Sequence, residues 1–580
     1  MLFIKGHGIQ PVVDADMSAY PDGKCMSAAA ACGFRPDEAY DVGNRLGLFS
    51  YSFPDATGLP EDHDQTAALD ALAVQMIDNQ PPSAANSSIP PVFTYMGQFI
   101  DHDITANTDR ETGVSVIDVE TVTPVGRDKV QAGLGNLRFG ALNLDSLYGG
   151  APLQGAFARA MQEALRWPED RAKLEAGTDS DSPFPQIPLP KDRARDLMRL
   201  GWARKSGQIT DDDLASIPEE LRDAFFNADG TPRDQRAIIG DLRNDENLAV
   251  AQFHLAMVRL HNKIVDAAPA SLPLHDREAI HAWAKTTTQW IYQWLVMNAY
   301  LPSISDPDML ETVRAAGAPV YSAFFERHPP AHPDAMPLPL EFSVAAFRFG
   351  HTMVRAEYDW SRNFGRGDAP LTQRATFQQL FEFTSAGMSQ LRLPEHWPIE
   401  QERFVFEPTA AMPDRAARKI DTLLVPRLHK MDNEPVGLFG VMKNLAKRNL
   451  RRGYRLSIPT AQGCLEALAA EHDIHIDPLT AEQIASGHTA SAIQAGNFHQ
   501  HTPLWFYVLK EAEIVGNGNR LGPLGTLLVA DTLIGLLRHD AQSYLNAAPG
   551  GDGWRPEHSV TPSGISIDGM PNMMRAAGLM

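Results

Sequence analysis

Apolar residues recur at helical spacing through most of the chain. In TAALDALAVQMIDN (Thr66 to Asn79), Leu69, Leu72, Met76 and Ile77 share one helical face. In NLAVAQFHLAMVRLHNKIVDAA (Asn247 to Ala268), Leu248, Ala251, Leu255, Val258 and Ile264 do the same. IHAWAKTTTQWIYQWLVMNAYLPSI (Ile280 to Ile304) predicts another long helix. Two stretches dense in proline and serine, Pro81 to Val92 and Ser182 to Asp192, read as loops. Alternation of the strand kind is scarce, and there is no internal repeat or low-complexity segment. The pattern predicts a mainly α protein, a single large helical domain over residues 91–545 with very little β structure. Residues 1–90, rich in Gly, Pro, Asp and Ala, read as an N-terminal arm packed on that core, and 546–580 as a C-terminal tail.

Composition narrows the picture. The 580 residues are 43% hydrophobic and 21% charged, as in ordinary globular proteins. The net charge of -21 comes without any basic patch, which argues against nucleic acid and anionic membranes as partners. No run approaches the ~18 apolar residues of a membrane span. The N-terminus MLFIKGHGIQPVV lacks a sustained apolar stretch, so a cleaved secretory signal is not expected. The cytoplasm is the default location, with export by a route lacking such a signal left open. Cys25, Cys32 and Cys464 allow at most one disulfide, Cys25 with Cys32, and are expected as free thiols.

Five stretches carry candidate chemistry. YMGQFIDHDIT (Tyr95 to Thr105) ends an apolar run on Asp101, His102 and Asp103. Burying such a cluster costs on the order of several kcal/mol unless it is paired or metal-bound. On a helix, Gln98 and His102 share a face, with an acid about 100° to either side; a surface helix end with solvated acids is the plainer alternative. In GDLRNDENLAV, Arg243 and Glu246 share a face, as many exposed pairs do. In AAFRFGHTMVRAEY, His351 lies among Phe347, Phe349, Met353 and Val354. It reads either as a satisfied core histidine or as an axial ligand to haem iron. In NLRRGYRLSIP, Asn449 could accept an axial histidine's second N–H, or simply end a helix before a basic turn. In RFGALNLDSLYGG, Asn143 and Asp145 place oxygens two residues apart, as a calcium loop does. The bidentate Glu of an EF-hand is missing, and a plain turn is the alternative.

Taken in order, GQFIDHD, RFGALNLDSLYGG, DLRNDEN, FRFGHT and NLRRG resemble the animal-type haem peroxidases, the peroxidase–cyclooxygenase superfamily. The resemblance is to a bacterial branch related to myeloperoxidase and lactoperoxidase, and it runs from about Thr66 to Leu545. Thr502 to Leu537 is similar to the family's C-terminal helices. The resemblance implies that residues 91–545 form the catalytic domain. His102 matches the distal histidine, Gln98 the glutamine of the distal water and halide site, and Arg243 the distal arginine. Asp101 and Glu246 match acids that form esters to the haem. Asn247 stands where myeloperoxidase has a methionine that makes a third link. His351 matches the proximal iron ligand, Asn449 its partner, and Arg348 and Arg452 propionate-side arginines. Asp103, Asn143 and Asp145 match side-chain calcium ligands, and Phe139 and Ala141 positions that give carbonyls.

The implied enzyme is a haem-dependent peroxidase that uses H2O2, through compound I, to oxidise halide, thiocyanate or phenols. Its implied cofactors are a haem b derivative, ester-linked through Asp101 and Glu246, and Ca²⁺. The oligomeric state is left unassigned. Several positions depart from the family. Phe139 replaces a usual threonine and Asn143 an aspartate, which weakens the calcium expectation, while Asp145 replaces a serine and offsets the charge lost at Asn143. Tyr454-Arg455-Leu456-Ser457 replaces the arginine-aspartate-histidine-glycine run of the mammalian enzymes. Arg348 stands where cyclooxygenases and fatty-acid dioxygenases carry a radical-forming tyrosine, and the nearest tyrosine is Tyr358. That favours peroxidase chemistry over a fatty-acid dioxygenase or diol synthase of the same fold, and the intact set of Gln98, His102, Arg243 and His351 argues against a non-catalytic haem-binding scaffold.

Overall fold

A computed structural model of the chain describes residues 47–109, 113–149, 156–181, 192–217, 219–330, 334–364, 375–385, 392–431, 434, 437–557 and 564–580. Cys25, Cys32, the first half of the predicted arm and nearly all of the predicted loop Ser182 to Asp192 lie outside the described residues. Cys464 is a buried free thiol.

The fold is mainly helical, as its periodicity predicts. Helix α1 (Gln65–Gln75) buries Leu69 and Leu72. Helix α2 (Val92–Ile104) starts directly after Pro90-Pro91, where a missing N–H costs nothing, and buries Phe93, Met96, Phe99 and Ile100. Helix α3 (Leu248–Asp266) is capped by Asn247, whose Oδ1 accepts the Val250 N–H at 3.0 Å. Helix α4 (Arg277–Leu295) widens into a π turn, Val296–Tyr300, before a last α turn, Leu301–Ile304. The predicted helix is thus one rod with a bulge, placed just before Pro302, which has no N–H to continue the ladder. Helix α5 (Leu445–Arg455) is capped by Asn444, and α6 (Leu504–Ile514) and α7 (Pro523–His539) are buried along most of their length. Among the described residues, no helix is long and apolar enough to cross a membrane.

Four short strands, β1 (Gly47–Ser50), β2 (Asn107–Asp109), β3 (Leu134–Asn136) and β4 (Leu338–Pro339), form a sheet in the order β2-β3-β1-β4. Strand β1 is antiparallel to β3, with Gly47 opposite Asn136, and parallel to β4. The sheet anchors the end of α2, because Asn136 donates to Ile104 O and accepts from the Ala106 N–H, both at 2.8 Å.

α2 packs on α3, and α5 packs on α1 and α6. The α1–α5 contact is electrostatic as well as apolar. Asp70 takes Lys447 at 2.9 Å and a bidentate pair from Arg451 at 2.8 Å. Phe49, Tyr51 and Phe53 are wholly buried in the same core. At the other end, a helix Met570–Ala576 lies near α3, and Arg259 donates to Ala577 O at 3.1 Å.

Candidate active site

A cavity of about 1130 Å³, mouth included, opens between α2, the segment around His351, and α5. His351 rides on a 3₁₀ segment, Ala346–Met353, that directly follows a π turn, Glu341–Ala345. Such departures from α winding re-aim side chains and cluster at functional sites. Gly350 also lines the cavity, and a Cβ there would meet nothing within 4 Å, so the wall beside the imidazole is open. On α2, a Cβ at Gly97 would lie 2.7 Å from the Tyr300 hydroxyl oxygen; only glycine lets the π turn pack there.

The His351 Nδ1 lies 2.9 Å from the Asn449 amide, with Nδ2 as the nearer atom. In that orientation Nδ1 accepts and the ring proton sits on Nε2. A half-turn of the amide, which leaves its shape unchanged, presents Oδ1 to an Nδ1–H and frees Nε2 as a ligand. The predicted pairing is therefore present in position, and the amide orientation decides its sense.

On the opposite wall, Gln98 donates to Glu246 at 3.3 Å and accepts from the Asn247 amide at 3.0 Å. Asn247 thus serves both the helix cap and this wall. Asp101 lines the cavity, and one of its carboxylate oxygens accepts from the Thr105 hydroxyl at 2.9 Å. His102 is wholly buried immediately behind this wall, and Arg243 lies beside it, also buried. Arg243 donates through Nε and Nη2 to Asp241, and through Nη2 to the carbonyls of His102 (3.0 Å) and Thr105 (2.8 Å). It therefore closes the C-terminal end of α2 with a positive charge, the sign that end favours. Burial alone would raise the Asp241 carboxyl, but Arg243 and then Arg138 outweigh it and hold the carboxyl far below the usual carboxylate range.

Three cations, Arg348, Arg448 and Arg452, line the α5 side. Burial, and then Arg348 and Arg448, push the Arg452 guanidinium down to about 9. Its Nε is buried without a hydrogen-bond partner. Glu434 pairs with Arg448 at 2.8 Å and offsets the shift at Arg452 only in part. Clustered buried cations need anions. A flat, apolar cofactor with carboxylates at one edge and a metal at its centre suits this cavity, with the carboxylates on the arginines and the metal at His351. The residues present fit haem.

The candidate calcium loop is less clear-cut. Asp103 accepts the N–H groups of Leu144 (3.0 Å) and Ser146 (3.1 Å), and burial and then Asp145 push it up to about 7. A buried carboxylate raised by a second one beside it would favour a cation between them. Against that, Phe139 O accepts from Met336 N at 2.6 Å, and Asn143 O from the Gln289 amide. Asn143 Oδ1 accepts from Asp145 N at 3.1 Å, and Ala141 is buried. No group of three or more acidic, His or Cys side chains set to hold a metal occurs among the described residues.

Three residues of the site escape the sequence reading. Arg448 lies one turn before Arg452 on α5, a spacing that could have flagged it. Asp241 and Asn244 sit inside the DLRNDEN motif, but their partners, Arg138 and His102, are 103 and 142 residues away.

Residues 204–393, which include Arg243, Glu246 and His351, match the family model "animal haem peroxidase". The chain is 32% identical over 142 residues to a peroxidase-like protein of Margaritifera margaritifera, 24% of this chain and 17% of that one. It is 30% identical over 129 residues to thyroid peroxidase of Mus musculus, 22% and 13% of the respective lengths. The chain thus spans under a fifth of these curated relatives. Peroxidase A from Dictyostelium discoideum superposes with a TM-score of 0.55 over 92% of this chain and 94% of that one, at 16% identity. A fatty acid alpha-dioxygenase of Arabidopsis thaliana gives 0.54 over 92% and 83%, at 12% identity. At such identities the structural likeness is one of fold.

Proposed function

We propose that this chain, whose residues 204–393 match the animal haem peroxidase family model, is a haem peroxidase that oxidises small donors such as halide, thiocyanate or phenols with H2O2. The observation that supports this best is one cavity walled by a histidine–asparagine pair and three arginines, with a second, buried histidine on α2 next to the wall residue Asp101. When bound, haem supplies the redox chemistry at iron. His351 would hold the metal through Nε2, with Asn449 turned to receive the Nδ1–H and fix the ring. Arg348, Arg448 and Arg452 would take the carboxylates. Asp101 and Glu246, on the cavity wall, would form the esters, and Gln98 keeps Glu246 in place. His102 Nε2 takes one proton from the peroxide and returns it to the departing oxygen. Arg243, locked on Asp241, holds positive charge beside that histidine and steadies charge as the O–O bond polarises. Asp103 and Asp145 would hold calcium behind α2, where it would stiffen the helix end that carries His102.

The test is reconstitution with haem, an optical spectrum, and turnover of guaiacol, bromide and thiocyanate with H2O2. A Soret band and donor oxidation are expected; a protein that binds no haem sinks the proposal. Haem that resists acid–acetone extraction would support the esters. Release of calcium by EDTA, with a fall in melting temperature, would support the calcium site. The dioxygenase fold invites one control, oxygen uptake with linoleate, and Arg348 in place of a radical-forming tyrosine predicts none.

A further inference from the structure

We infer that Asn244, backed by His254, fixes the tautomer of His102, so that Nε2 is its basic nitrogen; this deepens the peroxidase reading of His102 and rests on it. The Asn244 amide bridges two imidazoles. Its Oδ1 lies 2.8 Å from His102 Nδ1, and its Nδ2 lies 3.1 Å from His254 Nδ1. A carbonyl oxygen only accepts, and an amide NH2 only donates. In this orientation of the amide, His102 carries its proton on Nδ1, while His254 offers a bare Nδ1 and carries its proton on Nε2. One amide writes both ring states, and exchanging its O and N would reverse both.

The bridge is dry and joins three elements. His102 is on α2, Asn244 on the 3₁₀ turn Leu242–Asp245 and His254 on α3. His102 and Asn244 are 0% exposed and His254 is 1%, so water does not replace a lost bond. Burial pushes His254 down to about 3, which keeps it a neutral acceptor. Its ring stands edge-on to Phe99, 6.1 Å away, on the same helix as His102. The charged groups about His102 are Asp101 and Asp103 on α2, Asp241, Arg243 and Glu246 on the connecting turn, and Arg138 behind Asp241. The group bonded to His102 Nδ1 is the neutral amide, which fixes the proton without adding a charge. Asn244 is thus a positioning residue, and His102 is the residue that would meet the peroxide.

The test uses ferric holoenzyme with ¹⁵N-labelled histidine and cyanide as the probe, because HCN binds iron only by passing its proton to a base in the site. Nitrogen resonances, assigned with His102→Gln and His254→Gln, are expected to show His102 protonated at Nδ1 and slow to exchange, and His254 bare at Nδ1. Asn244→Leu should weaken cyanide binding at pH 7 by roughly 10- to 100-fold, as for other partners that orient a functional imidazole. Asn244→Asp, which keeps the acceptor in the same shape, should recover most of that loss and restore the slow-exchanging proton. A His102 proton found on Nε2, or unchanged cyanide affinity in Asn244→Leu, overturns the inference. If His102→Gln binds cyanide like the wild type, the assignment of His102 as base fails instead, and the tautomer is still read directly from the nitrogen resonances.

Discussion

Asp241 answers two arginines at once, and its neighbours show how much rests on one carboxylate. Arg138, 2.6 Å away, and Arg243, 2.7 Å away, are both buried. Asp241→Asn keeps the shape and leaves two buried cations without their anion, so unfolding in urea should show a loss of about 3–5 kcal/mol. A loss below about 1 kcal/mol would mean that Arg243 is held by the carbonyls of His102 and Thr105 alone. Arg452 should behave in the opposite way. Arg452→Leu removes a cation that repels Arg348 and Arg448, so the haem-free protein should gain about 1 kcal/mol or more, while haem retention falls. Melting curves with and without haem would show the crossing, and a variant less stable in both states would refute it. The legible and illegible residues divide along this line. His102, His351 and Asn449 stand out because a local motif surrounds each of them. The tautomer of His102 and the clamp on Arg243 depend on partners 142 and 141 residues off, beyond any local pattern.

Among the elements, the α3–α4 pair is held by groups that tolerate no charge. His261 on α3 and His281 on α4 both meet the Ala172 carbonyl, at 2.9 and 3.0 Å, with their rings 5.0 Å apart. Tyr148 closes the cluster through its hydroxyl, 2.8 Å from His261 Nδ1. Burial, and then His281, push His261 down to about 3. The folded value lies below the unfolded one of about 6.5, so the unfolded chain binds the extra proton. The neutral ring's contribution is whole above pH 6.5 and is lost as pH falls towards 3. His261→Gln should therefore cost less at pH 5 than at pH 7.5, by up to about 2 kcal/mol in urea unfolding. A constant difference would show that the ring titrates alike in the folded and unfolded chain. The helices themselves are largely legible, since Leu248 to Ile264 keep strict periodicity. Their interruptions are not. The π turns at Val296–Tyr300 and Glu341–Ala345 answer packing against Gly97 and the cavity, which periodicity does not encode.

At the scale of the molecule, the charge of -21 opposes the cations of the site. Carboxylates of a bound cofactor would neutralise Arg348, Arg448 and Arg452, leaving the far field negative. Anionic donors should then meet repulsion that salt screens, with a Debye length of about 10 Å at 0.1 M. The kcat/KM for thiocyanate or bromide is expected to rise with ionic strength while that for a neutral phenol stays flat. A parallel response of both would place the effect in the fold. The grip of Asp70 on Lys447 and Arg451 has a different kind of consequence, one of timing. On a ribosome, α1 and His102 emerge early, but α5, with Asn449 and Arg452, follows some 350 residues later. At roughly 5–20 residues per second, the first half of the pocket waits about 20–70 s for the second. Until then Asp70 lacks Lys447 and Arg451, and the cavity lacks its α5 wall. Haem supply and chaperone cover therefore matter most once α5 has emerged, when one electrostatic latch joins two helices made far apart in time.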